Sequence, residues 1–177
     1  MSLQFLPLTP ADLPAYKRDM QEAFRLGAIE GGCPACEIPD IGDVLPEEDI
    51  DRSLRTPGAI AYKAVQDGHM VGGAIVVVDE TTHHGHLDFL YVKHGTQSRG
   101  IGKFMWFGIE RLHPSVTVWE TCTPYFEKRN IHFYINVCGF HVVEYWNSHH
   151  PDPNFPTERG TPGDPEDGGM FGFRKEL

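Results

Sequence analysis

No stretch of the 177 residues approaches the ~20 consecutive apolar side chains that a membrane-spanning helix needs. That excludes a helical membrane protein. The opening MSLQFLPLTP has no basic segment ahead of an apolar core, so a secretory signal is not expected. Cysteine is scarce. Four in a chain of this size do not make a disulfide scaffold, and a reducing cytoplasm is the expected compartment. Positive charge is also short: 15 Lys and Arg stand against 25 Asp and Glu, a net charge of −10. Nucleic acid needs basic patches against its phosphates, so nucleic acid is excluded as a partner. The acidic balance suits a cationic small molecule, and plain solubility equally well. There is no internal repeat and no interdomain linker. The expectation is one domain, 1–177, long enough to bury a core.

What is there alternates between strands and helices. Leu3 to Leu8 reads as an opening strand. Thr9-Pro10-Ala11-Asp12 reads as a helix start, with Thr9 as cap, Pro10 in the first turn and Asp12 at the positive end. Leu13, Tyr16, Met20 and Phe24 recur at helical spacing, and Gly27 is the expected stop. Ala28 to Val44 is expected to be a loop, and Pro46 opens a short helix ended by Pro57-Gly58. Ala59–Val65 and Met70–Val78 flank Asp67-Gly68, a hairpin signal. Strands are expected at His86–Val92, Ser115–Cys122, His141–Trp146 and Met170–Lys175. Helices are expected from Ile101 and over Phe126–Val137, and a long loop over Ser148–Gly169. The fold class is mixed α/β: a mostly antiparallel central sheet of about seven strands with flanking helices.

Between the fourth strand and its helix lies GTQSRGIGKFMWF, Gly95 to Phe107. Helix N-termini carry unpaired N–H groups and partial positive charge. Glycines there let an anion approach and permit positive φ, which makes a phosphate cradle. A tight turn that binds nothing needs the same glycines. The loop lacks the Gly-x-x-x-x-Gly-Lys-Ser/Thr of phosphate-binding NTPases and the third glycine of the dinucleotide fingerprint.

The flanks go further. LYVKHGTQSRGIGKFMW resembles the acetyl-coenzyme A motif of the GCN5-related N-acetyltransferases (GNAT), with Gln97, Gly100 and Gly102 at its Gln/Arg-x-x-Gly-x-Gly/Ala positions. FEKRNIHFYINVCGF resembles the family's second block, with Phe133-Tyr134 and Gly139-Phe140 in register. His94 stands where proline is frequent. Glu127 stands where many members have Asn, which leaves Asn130 as the candidate equivalent.

The resemblance implies the acyl-CoA N-acyltransferase (GNAT) fold and acetyl-CoA as cosubstrate. It implies direct acetyl transfer to a primary amine, with a small cationic molecule as the expected acceptor. A protein N-terminus, a lysine side chain or a non-catalytic coenzyme A sensor are the alternatives. A homodimer is open, and no membrane partner is expected. The strand end Leu90, Tyr91 and Val92 would line a pantetheine slot between two splayed strands, and the Val92 N–H would polarise the thioester carbonyl. The backbone of Gln97, Ser98, Arg99, Gly100, Ile101, Gly102 and Lys103 would hold the pyrophosphate, with Arg99 and Lys103 adding charge or staying solvated. Asn130, Phe133 and Tyr134 would complete the cofactor site, and Tyr134 would protonate the leaving thiolate. The proton acceptor stays open between Asp88, a charge in an apolar strand on the face of Leu90 and Val92, its rival Glu120, a water relay and a loop residue.

Cys33-Pro34-Ala35-Cys36, with His83-His84-Gly85-His86 and His149-His150 elsewhere, is too thin a pattern for zinc, and no metal is expected. Glu30, Glu37, Asp40 and Asp43 in the first long loop could attract a cationic amine, or simply be solvated. Tyr145, Trp146 and Pro151–Pro165 could wall the acceptor site.

Overall fold

The structure, a computed structural model, describes residues 2–33, 44–97, 100–153 and 169–177. Seven strands form one sheet: β1 (Leu3–Pro7), β2 (Ala59–Gln66), β3 (His69–Asp79), β4 (His84–Val92), β5 (Val118–Pro124), β6 (His141–Trp146) and β7 (Met170–Glu176). Their order across the sheet is β1-β2-β3-β4-β5-β7-β6. All neighbours are antiparallel except β4 and β5. The helices are α1 (Leu13–Gly31), α2 (Glu47–Arg55), α3 (Ile101–Leu112) and α4 (Lys128–His132). A π-helical turn, Phe133–Val137, continues α4.

Apolar alternation assigns the helices to faces. Tyr16 and Met20 of α1 and Ile50 of α2 pack with Ile75 and Tyr91 on one face. Trp106 and Ile109 of α3 and Tyr134 pack with Val76, Leu87, Trp119 and Phe173 on the other. The β2–β3 turn has Asp67 and Gly68 both at positive φ, as the sequence signal requires. Predicted elements and observed ones agree in number and order and differ at their ends: β4 starts at His84 and β5 runs from Val118 to Pro124. α1 runs through Gly27 to Gly31 and stops at Gly32, which has φ 81°. Ala28 is buried against Cys33 and Phe126, so packing carries the helix past Gly27. A short 3-10 turn at Pro10–Asp12 precedes α1, where the Asp12 carboxylate accepts from the Thr9 N–H and hydroxyl. The expected helix over Phe126–Val137 begins at Lys128 and changes pitch at Phe133. Among the described residues no helix is long and apolar enough to cross a membrane.

Candidate active site

β4 and β5 pair only at their starts, through His84–Val118, Gly85–Trp119 and His86–Glu120. Beyond that rung the strands part. The Thr121 hydroxyl donates to the Leu87 carbonyl at 2.9 Å and closes the apex of the opening. Thr121 is buried, and β5 leaves along β7 while β4 stays paired with β3. The sheet therefore holds a wedge-shaped gap, open toward the C-terminal ends of β4 and β5.

The β4 edge facing the gap follows from strand geometry. The Lys93 N–H donates to Val71 of β3 at 2.8 Å. Adjacent residues of a strand send their amides to opposite edges, so Val92 and Leu90 direct theirs into the gap. Tyr91 sends its amide to β3, and its ring lies edge-on to Tyr16 beneath α1. Tyr91 thus offers the gap neither amide nor ring, unlike the expectation for it.

The loop at the mouth is built from its own polar groups. Thr96 donates to the Lys93 carbonyl at 2.7 Å, and the Gly95 N–H donates to Gln97 Oε1 at 2.8 Å. Gly100 caps α3 at φ 75°, a conformation that side chains resist. The first helical bond runs from the Phe104 N–H to the Gly100 carbonyl, so the N–H groups of Ile101, Gly102 and Lys103 have no partner within the helix. They form a donor cluster at the positive end of α3, which suits a diphosphate. The Ile101 side chain is buried in the core and Lys103 is exposed. Ser98 and Arg99 lie outside the described residues. Gly102 has a packing reason: a Cβ there would stand 3.3 Å from the Phe133 ring. Its bareness makes room for Phe133, not directly for an anion.

Tyr134 sits on the α3 face of the sheet, buried against Phe140 and Phe173. Burial raises its pKa above the ordinary phenol value, the buried Cys138 thiol adds to the rise, and a hydrogen bond with Thr121 offsets part of it. The phenol is thus a protonated donor next to the apex of the gap. Asn130 Nδ2 donates to Thr123 Oγ1 at 3.2 Å, which ties α4 to β5. Thr121 and Thr123 were not among the residues expected for the site. Only their alternation with Glu120 and Cys122 along β5 marks them as facing Tyr134.

Asp88 differs from its expectation. Val76 pairs with Leu87 and Ile75 with Phe89, so Asp88 is an extra residue bulged out of β4. The bulge breaks the alternation. Leu90 and Val92 pack on the α3 side, while Asp88 meets Ser53 of α2 on the other. Asp88 is therefore not on the face of Leu90 and Val92. Both its oxygens are engaged: Ser53 Oγ donates to Oδ2 at 2.5 Å, and His86 Nδ1 is 2.6 Å from Oδ1. Glu120 lies on the same face, 3.6 Å from Arg174 Nε. Cys122 is the next residue on that face, and burial, with Asp152 and Asp88 nearby, pushes its thiol up to about 12. A thiol so held is a poor nucleophile near neutrality.

Of the acidic residues expected to draw in a cation, Glu30 pairs with Arg129 at 3.4 Å, and Glu37, Asp40 and Asp43 lie outside the described residues. So does Cys36. Cys33 is disulfide-bonded, which leaves it no thiolate to offer a metal. Among the described residues no group of His, Cys, Asp or Glu could hold a metal. Tyr145 lies tilted against Phe171, with ring centroids 5.2 Å apart, and is exposed.

Comparison with known proteins agrees with this geometry. A chain from Bacillus subtilis (strain 168), the uncharacterized protein YrkN, is 45% identical over 146 residues, 81% of this chain and 76% of that one. The ribosomal-protein-S18-alanine N-acetyltransferase from Escherichia coli superposes with a TM-score of 0.70 at 14% identity, over 99% of this chain and 94% of that one. PaiA N-acetyltransferase from Thermoplasma acidophilum, solved with coenzyme A, superposes with a TM-score of 0.68 at 15% identity, over the whole of both. Residues 22–140, which include both motif blocks and the wedge between β4 and β5, match the acetyltransferase (GNAT) family, and the chain belongs to that family.

Proposed function

We propose that this protein transfers the acetyl group of acetyl-CoA directly to a primary amine, and that the amine belongs to a small cationic molecule. The observation that carries the reading is the wedge. It passes through the sheet, with the donor cluster of α3 at its mouth and the Tyr134 hydroxyl beside its apex. The residues present fit the cosubstrate. N–H groups of Ile101, Gly102 and Lys103 would hold the diphosphate. Backbone groups of Leu90 and Val92, turned into the gap, would pair with the amide-bearing arm, and an N–H there would polarise the carbonyl. Acetyl-CoA supplies the acyl group as a reactive thioester. The relative from T. acidophilum, solved with coenzyme A, supports this choice of cosubstrate.

The chemistry follows from which group stands on which face. Tyr134 approaches from the α3 side and holds the proton that a departing thiolate takes up. The opposite face carries the carboxylates of Asp88 and Glu120, with Arg174 paired to Glu120. That excess of carboxylates would attract an ammonium group. Cys122 stays protonated, which favours direct transfer over an acetyl-cysteine intermediate.

The test is acetyl-CoA-dependent release of free thiol across polyamines, aminoglycosides, amino acids and short basic peptides. Turnover with one small-amine class is the expected result. Turnover with peptides alone would move the acceptor to protein. Coenzyme A binding without turnover on any amine would leave a sensor.

A further inference from the structure

The carboxylate that the sequence favours as proton acceptor is already occupied on both oxygens. Ser53 Oγ holds Oδ2 of Asp88 and His86 Nδ1 holds Oδ1, at 2.5 and 2.6 Å. A carboxylate oxygen accepts, so the imidazole hydrogen sits on Nδ1 and the neutral ring presents a lone pair at Nε2. Among the described residues no hydrogen bond engages that Nε2. His86 occupies the last rung before β4 and β5 part, opposite Glu120. It lies on the sheet face opposite Tyr134. Glu120, the rival, faces Arg174 at 3.6 Å. Asp88 lies two residues after His86 and shares its face, which brings carboxylate and ring together, and the bulge then sets Leu90 and Val92 on the opposite face.

We infer that His86 is the proton acceptor for the amine, and that Asp88 and Ser53 are positioning residues that fix its ring. The inference rests on the acetyltransfer reading above. The ammonium leaves one proton on His86 Nε2. The freed lone pair forms the C–N bond as the C–S bond breaks, and Tyr134 gives its proton to the sulfur. The second proton of the amine nitrogen returns to the tyrosinate through solvent. Each turnover thus releases one proton, from His86. The arrangement puts acid and base on opposite sides of the reacting carbon, with the sheet edge between them.

Two measurements test this. The first is the tautomer of His86 in the whole protein, read from long-range proton–nitrogen NMR at alkaline pH. Hydrogen on Nδ1 is expected, and hydrogen on Nε2 would overturn the proposal whatever the turnover. The second is kinetic. His86→Ala is expected to lose about 100-fold in kcat, to keep coenzyme A affinity, and to recover saturably with added imidazole. Asp88→Asn is expected to lower kcat with KM unchanged and to mix the His86 tautomers. His86→Ala with full kcat, or a loss that imidazole leaves untouched, would overturn the role of His86 while the transferase reading stands. A wild-type protein that binds no coenzyme A would remove both readings together.

Discussion

Thr121 reaches from β5 to the Leu87 carbonyl of β4 at the point where the two strands stop pairing. One hydroxyl replaces the ladder bond that the opening sheet gives up, and the same side chain contacts the Tyr134 phenol. Thr121→Val keeps shape and loses both functions. It leaves a buried carbonyl without its donor, which costs about 1 kcal/mol or more. The expected result is a lower urea midpoint at unchanged slope, together with slower turnover because Tyr134 loses a fixed neighbour. Unchanged turnover would mean that the phenol is held by its ring packing alone.

Tyr134→Phe removes one oxygen from a well-packed ring. Stability should hardly move, while kcat should fall by roughly 100-fold if the phenol supplies the leaving-group proton. Burial raises the Tyr134 pKa, so the phenol keeps its proton throughout ordinary assay conditions. No loss of activity from Tyr134 ionisation is expected on the alkaline side, which a kcat profile to pH 9.5 checks.

Much of this was legible in the chain. Period-two and helical spacing, with the turn signals between them, located the strands and helices of the described residues, and Gln97, Gly100 and Gly102 pointed to the turn into α3 as a candidate mouth. Two things were not legible. The bulge at Asp88 is a register event between strands, and alternation along one strand cannot reveal it; it puts Leu90 and Val92 on the face opposite Asp88, which stays beside His86. The close approach of Phe133 to Gly102 depends on where α4 returns to the sheet, a contact between residues 31 apart in sequence (133 − 102). Sequence pattern reports what lies within an element, and these features lie between elements.

Cys122 sits beside the proposed acceptor face and is the residue through which a two-step mechanism would run. Its thiol, pushed up to about 12 by burial, should stay unreactive at pH 8. Intact-protein mass measured after incubation with acetyl-CoA and no amine should show no added acetyl group there. Cys122→Ala should retain turnover. A stable acetyl adduct on Cys122, chased off by amine, would replace direct transfer with a covalent route.

Glu127, at the start of α4, has its pKa raised to about 7 by burial, with Glu30 adding to the rise and Arg129 opposing it. The unfolded chain holds that carboxyl near 4.5. Between these values the folded state binds more protons than the unfolded one, so stability falls as pH rises from about 4.5 to about 7. Glu127→Gln abolishes that slope. Denaturation midpoints of the two proteins should differ least at pH 4.5, and the variant should be the more stable at pH 8. A parallel pair of curves would mean that Glu127 is better solvated than its packing against Gly31 implies.

Gly100 separates conformation from contact at the mouth of the site. A Cβ added there would meet nothing within 4 Å, yet φ is 75°. The cost of substitution is therefore backbone strain and not collision. Gly100→Ala should destabilise by about 1–2 kcal/mol. Gly100→Asn should cost less, because Asn enters the left-handed region more readily than Ala. Gly102 inverts the case: its φ is ordinary, and the added methyl presses on Phe133 at 3.3 Å. Gly102→Ala should therefore shift Phe133 and its neighbour Tyr134, lowering kcat, while Gly100→Ala should weaken coenzyme A binding by loosening the first turn of α3. Calorimetric coenzyme A affinity and kcat, measured on both variants, separate the two effects. Equal effects of both variants on both quantities would show that the loop and the start of α3 respond as one unit.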